Sequence, residues 1–368
     1  MYKYKTMPKD IAYLTGNTPM IEVIFKYKGQ VRYVYAKVEN FNMTGSIKDR
    51  MQINILRNAY NTGELKPGYK IVEASSGNTA IALSAMGTFL NHEVSIYMPS
   101  SESLERKQII ESFGAKLNLV DSGFEECLRL AKIEGQKSNV YYPDQFANPW
   151  NPQAHYCTTG PEIWQQLKSI NKVANAFVAG IGTGGTIMGT GRYLRKKNPY
   201  IGVFPVQPKS VKPFREKGNI YARYDNNAYL YEDKENDFIN DDSNENYVVP
   251  ESIPGISSGT KPEIVNLNEL NNIVIVDDSD AYIMAQKLAS NLGMGVGPSS
   301  GANLIGAIVI QDKLGLNSTV ATVFADDNKK YLSTDLTKKI KPKEHYISSN
   351  VELIGVRSIN RICIKYNF

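Results

Sequence analysis

Cysteine is scarce: Cys127, Cys157 and Cys363 are the three thiols of a 368-residue chain. So few, so far apart, exclude a disulfide framework and a zinc site, and they fit a reducing compartment. No run of 18 apolar residues occurs, and the opening stretch MYKYKTMPKDIAYL has no apolar targeting core. A cytoplasmic protein that does not enter a membrane is therefore expected. Positive charge is not concentrated either. The net charge of +5 is scattered apart from Lys338, Lys339, Lys341 and Lys343, which argues against a nucleic-acid partner. A fixed-period repeat is also absent.

Apolar residues at 42%, with 10% aromatic and 21% charged, suffice for a globular interior. The length exceeds one ordinary core and implies two packed domains. Strand-like and helix-like segments alternate. Val31–Val38, Lys70–Glu73, Val94–Met98, Ala176–Ala179, Ile201–Val206, Ile273–Val276 and Val320–Phe324 read as strands. Helices are predicted over Ile47–Asn61, Asn78–Leu90, Glu102–Phe113, Thr186–Lys196, Ser279–Leu292 and Ala302–Lys313. Short strands alternating with helices imply an α/β protein with mostly parallel sheets covered on both faces. Residues 209–250 break the pattern. This stretch opens basic and turns acidic through Glu232–Asn246, so it reads as a polar surface insertion. In the tail from about Lys338, Val351–Tyr366 alternates apolar and polar residues near its end (Ile362, Ile364, Tyr366), as expected of an added strand. Cys127 and Cys157 read as small core residues, Trp150 and Trp164 as packing, and His155 as a packed or capping side chain.

Chemistry concentrates in three segments. Lys48 lies in Thr44-Gly45-Ser46-Ile47-Lys48-Asp49-Arg50, at a strand-to-helix turn. With Ser46 as N-cap and Asp49 completing a capping box, Lys48 falls in the first helical turn, where the helix dipole disfavours an ammonium ion. That environment suits an amine that must be neutral to attack an aldehyde. A lone lysine at a helix start is more often a solvated surface residue. Ser75-Ser76-Gly77-Asn78-Thr79, between a strand and a helix, gathers N–H groups and hydroxyls suited to a carboxylate, although a plain capping turn has the same composition. Gly180-Ile181-Gly182-Thr183-Gly184-Gly185-Thr186 follows an apolar strand and opens a helix, as a phosphate cup does. A dinucleotide site would need a carboxylate at the end of the next strand, which instead reads Val206-Gln207-Pro208.

These segments occur together with Glu39-Asn40, Asp144-Gln145-Phe146-Ala147-Asn148-Pro149, Thr158-Thr159-Gly160-Pro161-Glu162-Ile163-Trp164, Pro298-Ser299-Ser300-Gly301-Ala302 and Tyr331-Leu332-Ser333-Thr334. In that order they resemble the fold-type II enzymes that use pyridoxal 5′-phosphate (PLP), within them the cysteine synthase and cystathionine β-synthase group. The likeness runs from about Leu14 to Leu336 outside the insertion, and through Val206-Gln207-Pro208 and then Ser252-Ile253-Pro254-Gly255 it is closest to the B-type cysteine synthases. It implies the tryptophan synthase β-subunit-like fold, with two three-layer α/β/α domains. Residues 1–40 would pack with the large domain, 41–150 would form a smaller mobile domain with Lys48 and the substrate loop, 151–336 a larger PLP-phosphate domain, and 337–368 an extension.

The resemblance also implies roles. Lys48 would hold PLP as a Schiff base and later move the substrate Cα proton. Asn78 would contact the ring hydroxyl, and Gly182, Thr183, Gly184, Gly185 and Thr186 the phosphate. Ser75, Ser76, Gly77, Asn78 and Thr79, with Gln145, would bind the substrate carboxylate. Ser299, or its neighbour Ser300, would face the pyridine nitrogen; a neutral hydroxyl there makes the ring a weaker electron sink and favours loss of a Cβ substituent over transamination. The implied reaction is β-replacement on an activated L-serine, O-acetyl-L-serine and sulfide giving L-cysteine and acetate, in a homodimer. Alternatives are another donor or nucleophile (cystathionine, cysteate or 2,3-diaminopropionate synthesis), a serine/threonine dehydratase, or a non-catalytic paralogue that binds a partner. Met43 stands where the family commonly has proline, and Ser257-Ser258 where B-type enzymes carry basic residues.

Overall fold

The computed structural model describes residues 13–211, 214, 222–223, 250, 252–256, 261–362 and 364. Most of the predicted insertion, Ser257-Ser258 and Cys363 lie outside the described residues. The chain opens with the hairpin β1 (Met20–Tyr27) and β2 (Gln30–Val38). Its two-residue turn has positive φ at Lys28 and Gly29, the geometry that matches strand twist. Helix α1 (Lys48–Thr62) follows and stops at Gly63, which takes the left-handed conformation at φ 79°.

Next come β3 (Lys70–Ala74), α2 (Asn78–Phe89), β4 (Val94–Pro99), α3 (Leu104–Ser112), β5 (Lys116–Val120), α4 (Phe124–Gly135) and β6 (Val140–Tyr141). Their strands form a parallel four-stranded sheet in the order β5-β4-β3-β6. Alternate residues of β3 face opposite layers: Ile71 packs with Met51, Ile55 and Leu83 of α1 and α2, while Val72 and Ala74 meet Cys127 and Ala131 of α4. The sheet is thus covered on both faces.

Helices α5 (Trp150–Cys157) and α6 (Thr159–Ser169) lead to β7 (Ala176–Gly180), α7 (Gly185–Lys197), β8 (Gly202–Pro208), β9 (Ala222–Arg223) and β10 (Val274–Val276). Then follow α8 (Asp278–Leu292), α9 (Pro298–Leu314), β11 (Val320–Phe324), α10 (Ile347–Asn350) and β12 (Val351–Ile359). The larger sheet runs β12-β1-β2-β11-β7-β8-β10-β9, parallel except where β1 pairs with β2 and β12. Val178 and Val206 turn towards Met284, Leu288, Leu304 and Ile308 of α8 and α9. Phe177 and Val203 turn the other way, onto Ile163, Leu167, Ile187 and Leu194 of α6 and α7. Two three-layer α/β/α units with mostly parallel sheets result, as expected.

Two details differ from expectation. The added strand at the C-terminus is Val351–Ile359, ahead of the predicted alternation at Ile362 and Ile364, because Val351, Leu353 and Ile359 are the residues that reach the core. Asp280 anchors this tail by accepting the N–H groups of Ile347 and Ser348 at 2.9 Å each. Cys127 is buried, but Cys157 is exposed. The buried face of α5 is Asn151, Ala154 and His155, continued by Thr158, and position 157 falls off it. Trp150 and Trp164 pack against the cores of the smaller and larger units.

Candidate active site

Parallel strands of both sheets end at one crevice, where such folds bind ligands. The Thr44–Ile47 turn is stitched to the end of β11: Ile47 N–H donates to Ala325 O at 2.9 Å, and Ser46 bridges Asp326. Gly45 sits at φ 81°, a conformation that favours glycine. Lys48 is the first residue of α1, and its N–H donates to Ser46 Oγ at 3.3 Å. The predicted capping box does not form. Ile47 occupies the cap position, and the Asp49 carboxylate instead accepts from Thr44 N–H at 2.6 Å and from the Thr44 hydroxyl. The turn before the helix offers nearer donors than the helix end does. Met43 packs against the core of the smaller unit.

Lys48 lines a cavity of about 290 Å³ together with Ser75, Ser76, Gly77, Asn78, Thr79, Gln145, Gly182 and Thr183. An adjoining cavity of about 40 Å³ is lined by Lys48, Gly182, Thr183, Gly184, Thr186 and Ser299. Residues drawn from distant parts of the chain thus meet around one amine. Burial lowers the Lys48 pKa, against an opposing pull from the charge of Asp326. Ser300 Oγ accepts the Ala325 N–H at 3.0 Å, which leaves Ser299 as the serine of the pair that borders a cavity. Gly185 lines neither cavity. A Cβ there would come within 1.8 Å of Asn151 Oδ1, so glycine lets α7 pack on α5.

The loops hold one another. Thr79 Oγ1 donates to Gln145 Oε1 at 2.7 Å, and Gln145 Nε2 donates to Ala74 O at 2.9 Å. Asn151 Nδ2 donates to Gln145 O and to Thr183 Oγ1, at 2.8 and 2.9 Å, and so ties the loop after β6 to the glycine turn. His155 is buried between Thr159 and Thr186, with ring nitrogens 2.9 and 3.4 Å from their hydroxyls. Burial first, then the positive charges of Arg50 and Lys48, hold its pKa well below the usual range, so the imidazole is neutral.

The residues present fit PLP. Gly184 has φ 85° and opens α7, so the Gly180–Gly184 turn offers backbone N–H groups at a helix start, a phosphate cradle. A Cβ at Gly182 would meet Gly255 O at 2.4 Å, so glycine there lets the 252–256 loop lie close on this turn. Asn78 Oδ1 is buried without a partner at the edge of the cavity, a polar atom awaiting a ligand.

Sequence alone missed several lining residues. Arg106 and Glu102 form an ion pair at the cavity, and the Arg106 guanidinium lies 4.7 Å from the centre of the Tyr331 ring while its Nη1 donates to Ser76 O at 3.2 Å. An arginine on a predicted helix reads as surface. Tyr331 stood inside a matched segment, but nothing in that segment tells what the ring touches. Phe124, Phe146 and the Ser252–Ile256 loop complete the wall.

Comparison with known proteins agrees with this geometry. The family model described as "Pyridoxal-phosphate dependent enzyme" matches residues 11–326. A cysteine synthase of Aquifex aeolicus is 36% identical over 343 residues, covering 90% of this chain and 93% of that protein. A hydrogen sulfide-producing enzyme from Fusobacterium nucleatum superposes with a TM-score of 0.83 at 43% identity, covering 96% of this chain and 99% of that one. The cysteine synthase of Entamoeba histolytica gives 0.74 at 29% identity, covering 95% and 96%.

Proposed function

Since this chain belongs to the pyridoxal-phosphate dependent enzyme family, we propose that it is a cysteine synthase, replacing the acetoxy group of O-acetyl-L-serine by sulfide to give L-cysteine and acetate. It is a PLP-dependent transferase with the fold of the type II enzymes. When bound, PLP supplies an aldehyde for a lysine or substrate amine and a ring that takes up electron density from the substrate Cα. In this reading Lys48 Nζ would hold that aldehyde and would move the substrate Cα proton. Burial favours the neutral amine that both tasks need. Ser75, Ser76, Gly77, Asn78, Thr79 and Gln145 orient the substrate carboxylate, and Asn78 also reaches the ring hydroxyl. Gly182, Thr183, Gly184 and Thr186 would hold the phosphate, and Gly185 would let the start of α7 sit close on α5 behind them. Ser299 would offer the ring nitrogen a neutral hydroxyl, which favours loss of a Cβ substituent over transamination once the Cα proton is removed. Phe124 and Phe146 give the cavity an apolar wall.

The observation that supports this most is the single cavity that Lys48 shares with the Ser75–Thr79 loop, Gln145 and the glycine turn. The reading includes a mobile unit 41–150 that closes on substrate, a segment 1–40 that packs with the larger unit 151–336, and an extension 337–368. A homodimer and a cytoplasmic location belong to it as well; sedimentation and cell fractionation test them. Among the described residues, no helix is long and apolar enough to cross a membrane.

A second reading makes sulfide the leaving group from L-cysteine, with another nucleophile taking its place at Cβ. The higher identity to the hydrogen sulfide-producing enzyme favours it. The test supplies purified enzyme with O-acetyl-L-serine plus sulfide, and separately with L-cysteine, and measures cysteine formed and sulfide released. Cysteine formation much faster than sulfide release supports the first reading, and the reverse supports the second. Lys48→Ala is expected to abolish both activities and covalent cofactor attachment. Near-normal turnover in that variant would sink the assignment of Lys48.

A further inference from the structure

Asp326 follows β11 and stands beside the lysine turn, paired in a bridge with Ser46. Its side chain is buried. Oδ2 accepts two hydrogen bonds, from Asn78 Nδ2 at 2.7 Å and from the Tyr331 hydroxyl at 2.6 Å. Oδ1 is buried without a donor, close against Gly297, where a Cβ would lie 2.2 Å from it. A buried carboxylate with one oxygen unanswered is destabilising unless a cation compensates it. The geometry does not require the charge, because a neutral amide oxygen could accept from the same two donors, Asn78 and Tyr331, though more weakly. The Lys48 amine is close enough to feel it.

We propose that Asp326 is a positioning residue for the lysine nitrogen: its charge stabilises the protonated form of that nitrogen in the linkage to PLP, and its Oδ2 fixes the orientation of the Asn78 amide. This rests on Lys48 being the cofactor lysine. A protonated linkage is the form an incoming amine attacks most readily. With Nδ2 held by Asp326, the amide of Asn78 keeps one hydrogen of Nδ2 and its unpartnered Oδ1 for a ligand.

The other titratable and charged groups around the pair are Tyr331 and Arg106 on the Asp326 side, Asp327 and Lys330 at the Gly45 turn, and His155 on the Lys48 side. Burial keeps the Tyr331 phenol neutral, so it does not compete with Asp326 as counter-ion of the lysine nitrogen, and the neutral His155 adds no positive charge beside it; Arg106 is the cation that shares the Asp326 charge.

The test is a pH titration of the visible absorption of cofactor-loaded protein, without any amino acid, for wild type, Asp326→Asn, Asp326→Ser and Tyr331→Phe. Removing the charge is expected to lower the linkage pKa by about one to three units in both Asp326 variants. Tyr331→Phe keeps the charge and removes a donor from it, so its midpoint should stay or rise. Two Asp326 variants guard against one failing to fold, and thermal melting checks each. A purely structural role would lower melting temperatures and leave the midpoints together, which overturns the proposal. Wild-type protein carrying the cofactor on another lysine, or on none, would overturn the reading of Lys48 and this inference with it.

Discussion

At the scale of single residues, burial decides which acids and bases carry charge. Glu73, at the end of β3, is fully buried and accepts the N–H groups of Ala74 and Gln145 at 2.9 and 3.3 Å, holding the loop that bears Gln145. Desolvation raises its pKa from 4.5 to about 8, against those two hydrogen bonds. A carboxyl whose folded pKa is raised gives stability that is fully present below the unfolded value and is lost as pH rises through the folded one. Wild-type stability relative to Glu73→Gln should therefore fall between about pH 4.5 and pH 8, by a few kcal/mol, and level off above. Chemical denaturation across that range measures it, and parallel profiles for the two proteins would contradict it. Composition gives no sign of this carboxyl, since glutamate reads as a surface residue.

At the scale of elements, the phosphate turn depends on close backbone approach. The conflict a Cβ at Gly182 would have is with the Gly255 carbonyl, and backbone cannot swing away as a side chain can. Gly182→Ala is expected to fold, to displace the 252–256 loop and to weaken PLP binding at least tenfold, about 1.4 kcal/mol. Titrating cofactor-free protein with PLP checks it; unchanged affinity would show the cradle to be roomier than the geometry requires. The glycines of this turn were legible because strand, glycine run and helix follow in order. The partner loop was not, since 73 residues separate Gly182 from Gly255 and no local pattern links them.

At the scale of the whole molecule, a buried charge cluster joins the two units. Arg50 of α1 meets Glu39 and Glu162, and Lys37 of β2 meets Glu162, each at 2.6 Å. Burial opposes the Glu162 charge, but Arg50 and Lys37 outweigh it and hold its pKa well below the carboxylate range. Its contribution is present above the unfolded pKa of 4.5 and is lost as pH falls towards the folded one. Glu162→Gln leaves buried Lys37 without its carboxylate and Arg50 with Glu39 alone, and should destabilise the protein by ~3–5 kcal/mol. The loss is read by denaturation at neutral pH, where a change under ~1 kcal/mol would show that water reaches the cluster. β12 acts on the same scale, covering the edge of β1 that would otherwise stand open.

Sequence by itself determined the alternation of short strands and helices, the covered parallel sheets and the three segments around Lys48, Asn78 and Gly182, because periodicity and turn chemistry are local. It did not reveal β1, an apolar run flanked by strands on both sides, whose MIEVIFKY pattern serves helix and strand alike. Only the tertiary structure decided that Asp49 caps a turn and not its own helix, that Ser300 is spent on Ala325, and that Arg106, Tyr331 and Asp326 form one network with Asn78. Those facts depend on which distant residues end up within about 3 Å of one another. Chain order leaves that open until the sheets are packed.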